Sequence, residues 1–313
     1  LASVKSGETI NVSAVATEPD GGAITYAITS GSLPSGISLN TSTGAITGTA
    51  PSVSASTTSN FTVTATDNEN QSTARAYSIT VSKPLPSDKF KIVTYTGNGG
   101  TQSINVGFKP DFVWIKQMNA ENHSRLLDST RGATKILYSS LNYAEDTEST
   151  GLTAFTSTGF NLGAQQSVND NNDTYIAWCW KANGGTTSTN TDGSNINSTV
   201  QVNANAGFSI VKWTGTGNAT HTVGHGLGVA PNMVLSKNLD QADAWQVYHL
   251  GAGSGAKFGG HLEGSAAFNT SAGTHGAWNT PSSTALTFSN GSSSINNLNT
   301  NSEDYIAYCF ADI

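Results

Sequence analysis

What this sequence has least of is charge: Asp, Glu, Lys and Arg make up 11% of its 313 residues, less than half the roughly 25% of an ordinary soluble domain. Glu and Lys, the long polar residues that sustain exposed helices, are among the scarce ones, so a helical architecture is excluded. Basic clusters are absent and the net charge is −7, which leaves no footprint for neutralising phosphates and argues against nucleic acid. No apolar run reaches the length of a membrane span, so membrane insertion is not expected. The start, Leu1-Ala-Ser-Val-Lys5, has neither an initiator Met nor the apolar core of a signal peptide, the pattern expected of a mature product or a fragment of something longer. Two cysteines make no disulfide framework. The polarity comes instead from Thr, Ser, Asn and Gly, residues suited to pleated surfaces and tight turns, and the expected class is all-β.

The chain contains two copies of one pattern. Each opens alike, with Phe90-Lys-Ile-Val-Thr-Tyr-Thr-Gly97-Asn-Gly99 and Phe208-Ser-Ile-Val-Lys-Trp-Thr-Gly215-Thr-Gly217, and each closes alike, with Tyr175-Ile-Ala-Trp-Cys-Trp180 and Tyr305-Ile-Ala-Tyr-Cys-Phe310. The offset grows from 118 residues between Phe90 and Phe208, through 121 between Pro110 and Pro231, to 130 between Cys179 and Cys309. Matching ends with unequal middles indicate two complete globular domains, 89–183 and 205–313, the second carrying insertions. Both closing strands are apolar on both faces, which places each at the centre of a two-layer domain or at a subunit contact. Cys179 and Cys309 are then buried thiols acting as small apolar side chains.

Ahead of the copies, residues 1–84 alternate in short strands such as Phe61-Thr-Val-Thr-Ala-Thr66, which suggests a small β-sandwich. The stretch Leu33-Pro-Ser-Gly36-Ile-Ser-Leu39-Asn-Thr-Ser-Thr-Gly44-Ala-Ile46-Thr-Gly48 resembles the signature of an immunoglobulin-like domain that recurs in bacterial surface proteins and phage structural proteins. Leu33, Ile37, Leu39 and Ile46 are its expected core. Two acidic patches, Glu18-Pro-Asp20 and Asp67-Asn-Glu69-Asn70, have the oxygen chemistry of calcium loops, but their spacing fits no loop template and Asp, Asn and Gly also make plain turns. Ser82 to Asp88 carries two prolines and reads as a semi-rigid linker. Residues 184–204, low in apolar content, read as a second linker or a long surface crossing, with a brief strand at Val200 and Val202.

Candidates for chemistry are few. His221 and His225 have metal-like spacing only on a helix, and the glycines around them forbid one, leaving His225 to a turn hydrogen bond. No nucleophile elbow, metalloprotease helix or phosphate loop is present. Asp128, Glu145, Asp146, Glu263 and Asp304 could supply paired carboxylates for glycoside cleavage, but every β-rich chain offers such pairs by chance, so no enzyme and no cofactor are expected. The better ligand candidates are Trp245, Tyr248, His249 and Trp278 in the second copy and His123, Arg125, Asp128 and Arg131 in the first. Aromatic faces stack on sugar rings, while guanidinium and carboxylate groups bond hydroxyls. Against this stands the plainer reading that the aromatics are core and that Asp128 and Arg131 pair to fix a turn.

The ordered runs Pro110-Asp-Phe-Val-Trp-Ile-Lys116, Leu127-Asp-Ser-Thr-Arg-Gly132, Thr222-Val-Gly-His-Gly-Leu-Gly228 and the two closing strands resemble a tandem β-domain family of tail-fibre and other virion proteins of marine tailed phages. The resemblance implies an immunoglobulin-like sandwich followed by two related β-sandwich or jelly-roll-like domains in an extracellular virion protein. It further implies a tail fibre or its distal part, with other virion or tail proteins and a host-surface glycan or receptor as partners, and a homotrimeric assembly. A bacterial secreted or surface adhesin with carbohydrate-binding domains, a capsid decoration protein and a polysaccharide-cleaving enzyme are the alternatives.

Overall fold

The computed structural model describes residues 2–53, 55–83, 88–218, 220–252, 256–265, 278–288 and 296–312. Among the described residues the regular structure is nearly all strand, with two single-turn α-helices and short 3-10 turns, and the chain divides into two compact units, 1–85 and 86–313. The proline-rich middle of the expected linker, 84–87, lies outside the described residues.

The first unit is a sandwich. A four-stranded sheet places Ala2–Lys5, Ser72–Ser82, Thr57–Thr66 and Thr25–Gly31 side by side, and Thr9–Ser13, Ala45–Thr49 and Ile37–Leu39 form the second sheet. Strict alternation in Phe61, Val63 and in Ile79, Val81 sends these side chains into the core, where Ile46 and Ile79 are completely buried. Of the expected core residues, Ile37 and Ile46 are interior and Leu33 and Leu39 pack at its margin.

The second unit holds both copies, and each builds a large sheet with a three-stranded sheet beside it. In the first copy the large sheet runs Asp146–Thr147, Lys135–Tyr138, Arg125–Asp128, Phe112–Gln117, Thr174–Trp180, Phe90–Thr96. In the second it runs Ser188–Asn190, Ser198–Asn203, Phe208–Thr214, Asp304–Phe310, Met233–Asn238, Gln246–His249, Gly260–His261. The closing strands are interior in both sheets, in the middle of the second and beside the edge strand Phe90–Thr96 in the first, as their two apolar faces demand. Tyr175, Ala177 and Cys179 face the first copy's own core, and Tyr305, Ala307 and Cys309 face the second's. Both cysteines are free and buried.

The opening motifs also find their reason. Asn169 and Asn299, both fully buried, accept the amide N–H of Asn98 at 3.0 Å and of Thr216 at 2.8 Å. A Cβ on Gly97 would lie 2.1 Å from the Asp170 carbonyl oxygen, and one on Gly215 the same distance from that of Thr300, so only glycine lets the opening turn meet that loop.

Residues 188–203, read from sequence as a linker or crossing, are instead strands of the second copy's sheets. Ser188–Asn190 and Ser198–Asn203 extend the edge beyond Phe208–Thr214, and Asn195–Ile196 pairs with Thr222–Gly224. Low apolar content misleads there because burial falls on few residues: Val200 is 3% exposed, while Ser198 and Gln201 are buried with their polar groups bonded.

The two copies share a core. The second faces of their large sheets meet through Phe112, Leu126 and Leu137 of the first copy and Ile210, Leu235 and Trp245 of the second. Phe112 stacks on Tyr308 at 4.1 Å, and the Trp245 Nε1–H donates to the Tyr138 carbonyl at 2.8 Å. Because the copies bury one another, Trp245→Ala, a truncation worth about 3–5 kcal/mol, is expected to lower the unfolding midpoint of the first copy along with the second. Site-resolved hydrogen exchange in both copies checks this; loss of protection confined to the second copy would contradict a shared core.

Candidate functional site

Asp128 and Arg131 sit where the copies meet. The Asp128 side chain is completely buried and that of Arg131 is 1% exposed. Asp128 Oδ1 accepts the backbone N–H groups of Thr130 at 3.0 Å and Arg131 at 2.9 Å, which closes the turn after the strand Arg125–Asp128. Its Oδ2 accepts Arg131 Nε–H at 2.5 Å and the Tyr308 hydroxyl at 2.7 Å. Arg131 donates further to Glu145, to the Leu126 carbonyl and to the Tyr308 oxygen. The charges are matched and four of the five guanidinium N–H groups donate, which is what a buried ion pair requires. Burial by itself would lower the Arg131 pKa, but Asp128 and Tyr308 outweigh it and hold the guanidinium charged far above neutral pH.

Three of the aromatic candidates are interior. Trp245, Tyr248 and Trp278 are each 1% exposed or less: Trp245 lies in the core between the copies, and Tyr248 and Trp278 in the second copy's own core. Trp278 Nε1–H donates to Ser236 Oγ at 3.0 Å. His249 is exposed and accepts the Gly251 N–H on Nδ1. The structure does not bring these four together as a surface.

The other candidates do gather. Arg125 and Tyr138 are neighbours across adjacent strands, with the guanidinium 5.1 Å from the ring centroid. Its Nε–H donates to Ser167 Oγ at 2.7 Å, and Glu148 pairs with it at 3.2 Å. His123, exposed, lies edge-on to the same ring and shares a hydrogen bond with Ser140 Oγ. Tyr143, 56% exposed, stands edge-on to Tyr138 from the other side. Two tyrosines, an imidazole and a serine hydroxyl thus gather beside the shared core, with Arg125 itself 9% exposed and its guanidinium spent on Ser167, the Tyr138 hydroxyl and Glu148. Tyr138, Ser140 and Tyr143 were not candidates from sequence. Nothing in the run Lys135-Ile-Leu-Tyr138 says toward which face of its sheet Tyr138 turns.

Elsewhere the first unit has a groove of about 800 Å³, with Phe61 and Tyr77 in its lining and Arg75 5.5 Å over the Tyr77 ring. The acidic patches make turns: Asp67 Oδ1 accepts the N–H groups of Glu69 and Gln71, and Glu18 accepts that of Asp20. Among the described residues no three His, Cys, Asp or Glu side chains gather as a metal site. His225 is buried and pairs with Leu227 N–H and the Ser282 carbonyl, and burial lowers its pKa. Among the described residues no helix is long and apolar enough to cross a membrane.

Residues 85–313 match the family described as a domain of unknown function, DUF7483. The chain belongs to this family. Residues 1–82 match the He_PIG family, described as "Putative Ig domain". No curated protein matches the chain. One solved structure among those that match is the human desmocollin-1 ectodomain, 10% identical, covering 79% of this chain and 74% of its own with a TM-score of 0.22; a likeness that slight carries no argument.

Two expectations follow for the DUF7483 unit. Asp128→Asn would leave the buried Arg131 with only Glu145, at 3.2 Å, as counter-charge and cost about 3–5 kcal/mol, read from urea unfolding; a loss below about 1 kcal/mol would mean the pair is solvated. Burial pushes the thiols of Cys179 and Cys309 up from 9.0 to about 12. Their protonated form belongs to the folded state, so this contribution is complete below pH 9 and is lost as pH climbs toward about 12. Urea midpoints measured across that range should fall, and less steeply with both thiols replaced by alanine.

Proposed function

We propose that this chain is a structural protein of a tailed-phage virion, a tail fibre or its distal part, and that it adheres to saccharide on the host surface through the His123–Tyr138–Tyr143 surface of the DUF7483 unit. The virion context is supported by the family resemblance of the repeated motifs. The adhesive role is supported by one observation above the rest: Tyr143, 56% exposed, stands beside a second tyrosine whose ring also carries Arg125 and His123. A tyrosine held at its base by another aromatic offers a stiff apolar face to the C–H side of a sugar ring, at small cost in side-chain entropy. The exposed His123 imidazole and Ser140 hydroxyl beside it supply donors and acceptors for ring hydroxyls. No step of this reading involves a reaction or a cofactor, and the partners are glycan on one side and other virion proteins on the other.

A bacterial surface adhesin would use the same residues, and it is favoured by the immunoglobulin-type domain at residues 1–82; capsid and tail genes beside this one decide for the virion. Binding of the full chain to immobilised host lipopolysaccharide and capsular polysaccharide tests the surface. Tyr143→Ala and His123→Ala are expected to weaken it by about tenfold or more with unchanged melting. Binding that is absent, or indifferent to both changes, would dismiss the adhesive role.

A further inference from the structure

The two copies bury equivalent surfaces unequally. In the second copy, Ile210, Tyr308, Leu235 and Val247 stand in one cross-strand row, and all four are at most 4% exposed beneath the first copy. In the first copy the equivalent row is Ile92, Trp178, Trp114, Leu126 and Leu137. Leu126 and Leu137 are completely buried under the second copy, whereas Trp114 and Trp178 are half-buried and Ile92 is 49% exposed. Ile176, in the next row, is half-buried while its counterpart Ile306 is fully covered. The edge differs as well: Phe208–Thr214 is flanked by Ser198–Asn203, but Phe90–Thr96 ends its sheet.

We propose that a second copy of this chain seats on the strip formed by Ile92, Trp178, Trp114 and Ile176, so that copies meet there around a common symmetry axis. The strip is continuous with an interface already in the molecule, since Trp114 packs against the shared core at one end of the row. What covers the equivalent row of the second copy is a domain of this same fold, so the fold supplies a matching surface. The strip has the composition of an interface centre, with aromatic and branched side chains and little charge. Lys116, the charged residue beside Ile176, spends its ammonium on the carbonyls of Ala120 and Asn122. Trp114 and Trp178 meet edge to face at 6.2 Å, so the strip offers two rings of large apolar area to a partner. A patch lying on a rotation axis meets its own copies whether two or three assemble. The inference needs neither the saccharide surface nor the virion context.

Light scattering of the full chain at several concentrations tests it. The expected mass is a whole multiple of 32.3 kDa greater than one, falling to 32.3 kDa in Ile92→Asp/Trp178→Ser at an unchanged melting temperature. If the double variant melts early, Ile92→Asp alone, at a half-exposed position, decides. Val229→Asp, on the second copy and 43% exposed, is expected to leave the assembly intact. A wild-type chain that stays at 32.3 kDa at the highest concentration, or an assembly that survives Ile92→Asp, would overturn the proposal.

Discussion

Two sheets facing one another across Phe112 and Tyr308 set the rest of this structure. The rings stack at 4.1 Å, and the Tyr308 hydroxyl reaches past Phe112 to the carboxylate of Asp128 in the other copy. An aromatic with one polar atom suits such a position, because its ring contributes area to the core while its oxygen satisfies a buried charge. Without Tyr308, Asp128 would have Arg131 and two amides but no tie to the second copy. With it, the turn Asp128–Gly132, the ion pair and the packing of the two sheets become one arrangement, further held by Gln201 Nε2–H groups donating to Ser129 and Thr130.

This arrangement explains why both closing strands are apolar on both sides. A strand in an isolated sandwich needs one apolar face, and the other would carry Thr or Ser as the strands of the first unit do. Here Cys179 and Cys309 fill the inner layers and Trp180 and Phe310 pack at the contact between copies. The buried thiols have no partners for chemistry. They behave as small apolar groups whose ionisation the core resists.

Much of this was legible in the sequence. The all-β class and the interior place of the closing strands follow from period-two alternation and doubly apolar strands, and the immunoglobulin-type unit from the resemblance carried by the Leu33 to Gly48 stretch. The strands of 188–203 were hidden because alternation there passes through Ser198 and the polar Gln201, which reads as surface until its partners are known. Trp245, Tyr248 and Trp278 were indistinguishable in sequence from surface aromatics, since a strand that packs on both sides gives no outward face to compare. Arg125 and His123 were singled out for their chemistry, yet Tyr143 belongs to an irregular segment where no period predicts orientation.

The copies have diverged in what they leave open. The second adds strands at its edge and has its outer face closed by the first, so the residues in its contact row are interior. The first keeps a bare edge strand, two half-buried tryptophans and the exposed Tyr143. Insertions in one copy and exposed side chains in the other are two aspects of one asymmetry: a pair of like domains that cover each other off-centre must leave one of the two equivalent faces uncovered. Among the described residues the exposed tyrosine and the half-buried tryptophans of this unit therefore lie on the first copy, with the shared core, rather than loop chemistry, deciding where they lie.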